Sequence, residues 1–343
     1  MNDDKRRHGL RAERTKASHQ FRDGTFHNAA GDKLFSAPGA GVMAEFFFRK
    51  GRREPGFVLP VERPHEGWSR SIDSGLRVTW LGHSTVLLEV AGRRILTDPV
   101  FGDRASPFNF AGPKRFHPVP AALSELPELD VVLLSHDHFD HLCRPTMEAL
   151  AKTRVPIVTA LGVGAHLEAF GIDPSRITEL DWHESMEVAG VHFTALPAQH
   201  FSGRGLLDRN RTLWASWAMR AGNRSVYFSG DTGLFDEMHD IGLTNGPFDL
   251  VLLEIGAFHP SWGAIHLGPE NALTAFERLR GKALLPVHWS TFNLGLHDWD
   301  DPGETLFQLA EKKGSRILTP KIGAVFEPDH AESPEAWWRP LIR

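Results

Sequence analysis

The sequence predicts an α/β protein in which two sheets pack face to face with helices covering them outside, a four-layer αββα sandwich. Three observations point there. Short β-rich runs come before and between amphipathic helical stretches in both halves of the chain. Several of these runs are continuous apolar segments bounded by polar residues, as in strands buried on both faces. No short-period repeat and no low-complexity tract competes with that reading.

Residues 1–70 are rich in Gly, Pro, Arg and Phe and weakly periodic, which predicts an extension wrapping the core; residues 71–343 form the main domain. Residues 1–24 carry seven Lys/Arg (Lys5, Arg6, Arg7, Arg11, Arg14, Lys16, Arg22) against Asp3, Asp4, Glu13 and Asp23. We expect a solvated, poorly ordered tail there, with lipid or phosphate contact as the alternative. The run 41–48, ending in Phe46, Phe47 and Phe48, reads as a packing element before a membrane contact.

From Leu76 the character changes. Leu76–Trp80, Thr85–Val90 and Arg93–Thr97 read as strands, the last two joined in a hairpin at Gly92. Asp130–Ser135 is a buried strand, and Arg144–Lys152 a helix. Ile157–Thr159, Ile177–Leu180, Ser185–Val188 and Val191–Leu196 follow as strands, with a helix over Val163–Phe170. Thr212–Arg220 and Ser225–Ser229 read as a second hairpin, in which Trp214 and Trp217 are packing residues. Leu250–Glu254 and Ala283–Pro286 are buried strands separated by the helix Pro269–Arg280, with Ala272, Ala275, Phe276 and Leu279 on one face. Asp301–Lys313 is a helix, and Ile317–Leu318 and Ala324–Phe326 close the sheet.

Over 343 residues, 41% hydrophobic and 24% charged content is enough for a sizeable core in a globular protein. A net charge of −5 provides no global attraction to nucleic acid, so a nucleic-acid partner is not expected. A single cysteine, Cys143, excludes an intramolecular disulfide and reads as a small buried residue. Neither a secretory signal nor a spanning segment is read. The expected location is cytoplasmic, with peripheral membrane contact allowed, and a homodimer is left open.

The strongest chemical signal is His136-Asp137-His138-Phe139-Asp140-His141, directly after the Asp130–Ser135 strand. Two His at i and i+2 in an extended loop can face one metal, and Asp140 and His141 on the next bend can serve a second. Imidazole and carboxylate are ligands zinc accepts, at about 2.0–2.2 Å. Packing does not explain so many ligand-type side chains together, because each buried one needs its own partner. His200, Asp231 and His288 each follow an apolar run, where a strand delivers side chains into an open site.

On these residues the sequence resembles the metallo-β-lactamase superfamily. Asp98, the His136–His141 motif, His200, Asp231 and His288 match its successive motifs. Asp231 stands where true zinc β-lactamases have Cys, and with His141 it resembles the glyoxalase II, RNase Z and phosphodiesterase branches. Further stretches are similar to the N-acyl-phosphatidylethanolamine-hydrolysing phospholipase D family: Thr79–Thr85, Leu96–Phe101, Leu213–Trp217, Gly230–Gly233, Gly246–Leu250, Ile255–Ala257 and His288–Phe292. That branch also includes ascorbate-phosphate-lactonase-like and RomA-like bacterial proteins.

The resemblance implies a hydrolase with two divalent cations sharing a hydroxide at about 3.5–4 Å separation. His136, His138 and His200 would bind the first, Asp140, His141 and His288 the second, and Asp231 would bridge. Zinc is the first choice, with manganese or iron compatible. Asp98 would orient a ligand His by accepting its other N–H. Asp140 is also counted with the catalytic residues, and His83 and His266 are candidates for substrate contact or proton delivery. The leading expectation is phospholipase D-type cleavage of N-acyl-phosphatidylethanolamine-like glycerophospholipids. The Phe101–Phe116 loop, with Lys114 and Arg115, offers a candidate membrane-facing groove beside its plainer reading as a packed loop. The alternative substrate is a small molecule, the lactone of a phosphorylated sugar acid. A nuclease and a non-catalytic metal-stabilised protein are the remaining readings.

Overall fold

The computed structural model describes residues 2–29, 31, 51–259, 264–331 and 333–342. The Phe46–Phe48 run lies outside them. The strands are β1 (Phe21–Arg22), β2 (Thr25–Phe26), β3 (Leu76–Gly82), β4 (Thr85–Val90), β5 (Arg93–Thr97), β6 (Val131–Leu134), β7 (Ile157–Ala160) and β8 (Ile177–Leu180). They continue with β9 (Ser185–Val188), β10 (Val191–Leu196), β11 (Ser216–Ala221), β12 (Arg224–Phe228), β13 (Leu250–Glu254), β14 (Leu284–Val287) and β15 (Val325–Phe326).

Two large sheets result, a seven-stranded one in the order β15-β3-β4-β5-β6-β7-β8 and a six-stranded one in the order β14-β13-β12-β11-β10-β9. Strands β5 to β8 run parallel, as do β12 to β14, so each sheet gathers several strand C-termini on one edge. This is the mixed α/β, two-sheet architecture that the alternation of elements predicts. The apolar side chains of both sheets merge into one core, and the parallel strands β6 and β13 are buried throughout.

The hairpin between β4 and β5 turns at Ala91 and Gly92, with φ of 48° and 78°. Both are positive, as a two-residue turn matched to strand twist requires. In the neighbouring pair, Arg77 sits opposite Glu89 in register. Their side chains form a fork at 2.5 and 2.8 Å although both are buried. Arg77 also donates to the carbonyls of Gly67, Trp68 and Arg70, holding the preceding segment on the sheet.

Helix α1 spans Asn2–Ala17, α2 His65–Trp68, α3 Arg144–Leu150, α4 Gly164–Ala169, α5 Met238–Thr244, α6 Gly268–Arg278 and α7 Asp301–Lys313. Pro269 opens α6, which buries Ala272, Ala275 and Phe276 and packs on β13. Helix α7 packs on α6 and stops at Gly314, a left-handed cap. No described helix is long and apolar enough to cross a membrane.

Three expectations are corrected. The basic terminus is not a poorly ordered tail: it forms the helix α1, mostly solvent-exposed over residues 9–17, and Arg11 is ion-paired with Glu168 and Glu179 at 2.5 and 2.6 Å. Residues 212–215 are not part of a strand. Leu213 N–H donates to Leu161 O and Ala215 N–H to Ser135 O, so the stretch bonds across to the other sheet's loops. Ile317–Leu318 makes a single bridge at Leu284 rather than a strand. Cys143 is buried, as expected.

Candidate metal centre

Every candidate side chain except His266, which precedes α6, lies beyond the C-terminal end of a strand. His83 follows β3, Asp98 follows β5 and His136 to His141 follow β6. From the facing sheet, His200 follows β10, Asp231 follows β12 and His288 follows β14. His83, Asp98 and His288 hold φ of 53°, 32° and 65°. Left-handed backbone at non-glycine residues costs on the order of 1–3 kcal/mol each, and it is tolerated where surrounding contacts over-determine the chain. Here His288 N–H donates to His83 O, so two of the strained residues brace each other.

The side chains converge. His136 Nε2 and His200 Nε2 lie 2.9 and 3.2 Å from His138 Nδ1. Asp231 Oδ2 stands 3.9 Å from His136 Nε2 and 3.7 Å from His200 Nε2. These separations bracket the edge, about 3.4 Å, of a tetrahedron with zinc–nitrogen bonds near 2.0–2.1 Å. A second group adjoins it. His288 Nε2 is 3.2 Å from Asp140 Oδ2 and 3.1 Å from Asp231 Oδ2, and His141 Nε2 is 3.4 Å from Asp140 Oδ2 and 3.2 Å from Asp231 Oδ1. Asp231 therefore belongs to both groups. All seven sequence-predicted ligand residues come together here.

A beta-lactamase superfamily domain model matches residues 93–289, more than half of the chain. The chain belongs to the metallo-β-lactamase superfamily. An uncharacterized protein of Mycobacterium tuberculosis is 42% identical over 332 residues, covering 95% of this chain and 88% of the relative. N-acyl-phosphatidylethanolamine-hydrolyzing phospholipase D 1 of Caenorhabditis elegans is 38% identical over 272 residues, covering 74% of this chain and 76% of the relative. Among solved structures, a metallo hydrolase from the archaeon Ignicoccus hospitalis is similar in fold, with a TM-score of 0.56 at 24% identity, covering 74% of this chain and 98% of that one.

The chemistry of this superfamily member's donor set fits metal. Ser135 donates its N–H and its hydroxyl to Asp98, which leaves the hydroxyl oxygen to accept from His136 Nδ1. His200 Nδ1 faces the carbonyl of Ile265, which can only accept, and His141 Nδ1 faces Asp98 Oδ2 at 2.6 Å. The far nitrogens of His136 and His200 therefore turn lone pairs toward His138 and Asp231, while His141 Nε2 faces Asp140 and Asp231, where a proton or a cation has to lie between. Lone pairs so arranged repel unless a cation lies between them. Consistently, His141 Nε2 and Asp231 Oδ1 are buried without a hydrogen-bond partner among the described residues.

Electrostatics agree. Burial, followed by neighbouring imidazoles, holds His136 well below the usual range. Burial also lowers His138 and His200 against the pull of nearby carboxylates, so all three rings are neutral. Burial alone would raise Asp140 and Asp231, but His141 and other imidazoles overcome it and hold both well below the usual carboxylate range. Burial would lower His141 and His288, yet Asp231 and its neighbours push both up, His288 to about 10. The cluster is thus built to hold positive charge.

His83 is buried, with Nε2 3.0 Å from Asp140 Oδ2, so its contact is with that carboxylate. Burial, then His288, lowers its pKa to about 3, keeping the ring neutral and Nε2–H donating. His266 lies beside the cluster, its ring 5.0 Å from that of His200 and 5.5 Å from that of His288.

Three residues escaped the sequence reading. Glu254 ends β13 fully buried and bonds His266 Nδ1 at 2.7 Å. Its only signal is an acid closing an otherwise apolar run. Asp137, inside the motif, accepts from Gly203 N–H and Thr212 Oγ1 and anchors the loop from behind. Asn28 grips His200 by both backbone groups, Nδ2 to the carbonyl at 2.8 Å and Oδ1 from the N–H at 3.0 Å.

A cavity of about 790 Å³ adjoins the motif loop, lined among others by Phe108, Phe110, Phe139, Phe170, Arg104 and Arg204. Phe108 and Phe110 are exposed, with rings 5.4 Å apart, whereas Phe116 of the same loop is buried.

Proposed function

We propose that this chain is a metal-dependent phosphodiesterase of phospholipase D type, acting on N-acyl-phosphatidylethanolamine-like glycerophospholipids. The observation that carries the reading is Asp231 standing within 3.9 Å of His136 and His200 and within 3.2 Å of His141 and His288, beside a cavity lined by both aromatic and Arg side chains. The phospholipase D name of a relative that matches 74% of the chain supports the substrate class.

His136, His138 and His200 would hold one divalent cation, and Asp140, His141 and His288 another, with Asp231 common to both. Zinc suits the set, and manganese or iron is compatible. Bound cations of this kind polarise a phosphoryl oxygen and lower the pKa of water toward about 7. The chain's own residues prepare the site for that. Asp98 fixes the ring of His141, and His83 holds Asp140. His266 stands where it can contact the substrate or deliver a proton to the leaving alkoxide. The guanidinium groups of Arg104 and Arg204 suit the phosphate, the Phe side chains suit acyl chains, and exposed Phe108 and Phe110 suit a lipid surface.

The test compares metal-stripped and metal-reloaded protein on vesicles containing N-acyl-phosphatidylethanolamine, with a soluble phosphorylated sugar-acid lactone as the second arm. Release of N-acylethanolamine and phosphatidic acid by the reloaded protein, abolished in His138→Ala and Asp231→Ala, is the expected result. Turnover of the lactone alone would replace the phospholipid reading. An unchanged rate after metal removal would overturn the metal reading itself.

A further inference from the structure

Glu254 uses both carboxylate oxygens. Oε2 accepts from His266 Nδ1 at 2.7 Å, and Oε1 accepts from the N–H groups of Thr232 and Leu267 at 2.8 and 3.3 Å. Thr232 follows Asp231, and Leu267 follows His266. One fully buried carboxylate therefore ties the Asp231 loop to the His266 segment.

That segment is fastened at other points as well. Gln199 Nε2 donates to Ala264 O at 2.6 Å, and His200 Nδ1 donates to Ile265 O at 3.0 Å. Gly233 lies so close that a Cβ there would stand 1.7 Å from Ala264 O. His266 is thus held on a rigid support. It also lines a cavity of about 360 Å³ with Phe258, Ile265 and Leu267, separate from the one flanked by Phe139.

A carboxylate that accepts two backbone N–H groups on one oxygen presents the other as an acceptor to the ring. His266 Nδ1 then carries the hydrogen, and Nε2 is the nitrogen left for substrate. A buried carboxylate oriented on an imidazole Nδ1–H fixes tautomer and ring direction in the same way in hydrolase triads.

We propose that Glu254 is a positioning residue, which sets the tautomer and aim of His266 so that Nε2 faces the substrate. This rests on reading His266 as a substrate-contacting group. In Glu254→Gln the two backbone donors retain the amide oxygen, the NH2 turns to His266 Nδ1, and the ring adopts the opposite tautomer, with hydrogen on Nε2.

The experiment uses the full-length, metal-loaded protein. Nitrogen NMR of labelled histidine, with the His266 signals identified by their loss in His266→Ala, reports the tautomer without reference to turnover. Nδ1–H is expected in the unsubstituted protein and Nε2–H in Glu254→Gln. Hydrogen on Nε2 and not on Nδ1 in the unsubstituted protein overturns the proposal, even if the Gln variant does not fold. On whichever substrate of the panel above is cleaved, kcat should fall on the order of 100-fold in Glu254→Gln, with KM and metal content unchanged. His266→Ala should fall by as much, and the double variant no further. If His266→Ala leaves turnover intact, the reading of His266 fails and the positioning role with it. If His266→Ala slows turnover and Glu254→Gln does not, the proposal for Glu254 fails alone. Loss of a metal ion in Glu254→Gln also overturns it, in favour of a structural part in the cluster.

Discussion

Asp98 Oδ2 and His141 Nδ1 stand 2.6 Å apart with both side chains fully buried, and this contact decides which nitrogen of His141 faces the cluster. Asp98 also accepts from Ser135 N–H and Oγ–H, at 2.7 and 2.6 Å. An asparagine offers one oxygen where these donors use two. Asp98→Asn should therefore weaken metal affinity about 10–100-fold while the fold is kept. Competition against a chromophoric chelator measures it, and an unaltered affinity would show that the contact is incidental.

Gly256 lies against the backbone of His288, where an added Cβ would fall 2.1 Å from the His288 carbonyl oxygen. Rigid backbone on that side cannot yield cheaply. Gly256→Ala should displace His288 and lower bound metal from about two ions per chain toward one, the expected two-metal content being that of such hydrolases. Metal analysis of the purified variant is the check, and full loading would contradict the prediction.

The Arg77–Glu89 pair is remote from the cluster and tests the sheet alone. Removing one partner leaves the other charge buried, which typically costs about 3–5 kcal/mol. Glu89→Ala should lower the urea midpoint accordingly. Arg77→Met with Glu89→Leu should recover much of the loss, since the two fully buried charges leave together and Arg94, the other partner of Glu89 at 3.1 Å, is exposed enough to be solvated. A double variant as unstable as the single one would point to the carbonyl contacts of Arg77 instead.

Glu304 supplies a pH-dependent test. Hydrogen bonds from Arg339, opposed by partial burial and aided by Trp338 and Gln308, hold its carboxyl at about 2, below an ordinary 4.5. A depressed carboxyl favours the folded state above its unfolded pKa and loses that contribution as pH falls through the folded value. The benefit is thus complete above about 4.5 and gone below about 2. Solvent screening limits it to roughly 1 kcal/mol. Thermal midpoints across this window should fall less steeply in Glu304→Gln than in the unsubstituted protein. Parallel curves would refute the linkage.

The sequence was most legible where chemistry left no other use for a side chain. His136 to His141 cannot be packing residues together, and His200, Asp231 and His288 each follow a run that has to be a strand. Glu254 was hidden because it reads only as the last residue of the buried strand Leu250–Glu254, and nothing local to that run points to its partner His266. Asn28 was hidden because its partner is His200, far along the chain, and an amide in a Gly- and Arg-rich stretch carries no signal of it. The same holds for Arg11, whose acidic partners Glu168 and Glu179 come from distant elements. Residues 212–215 looked like strand because they are apolar and aromatic. Their backbone groups instead satisfy Leu161 and Ser135 of the opposite sheet, a choice made by tertiary contacts rather than local preference.

Asp98 and the His136–His141 motif hang from one sheet, and His200, Asp231 and His288 from the other. A cation seated among them would share its bonds across the seam, clamping two halves otherwise joined mainly by apolar contact. Such a clamp is absent from the unfolded chain, so occupancy adds about 4 kcal/mol when free metal exceeds its dissociation constant about 1,000-fold. Metal starvation would then act on this protein twice, silencing its chemistry and loosening the sandwich that carries it.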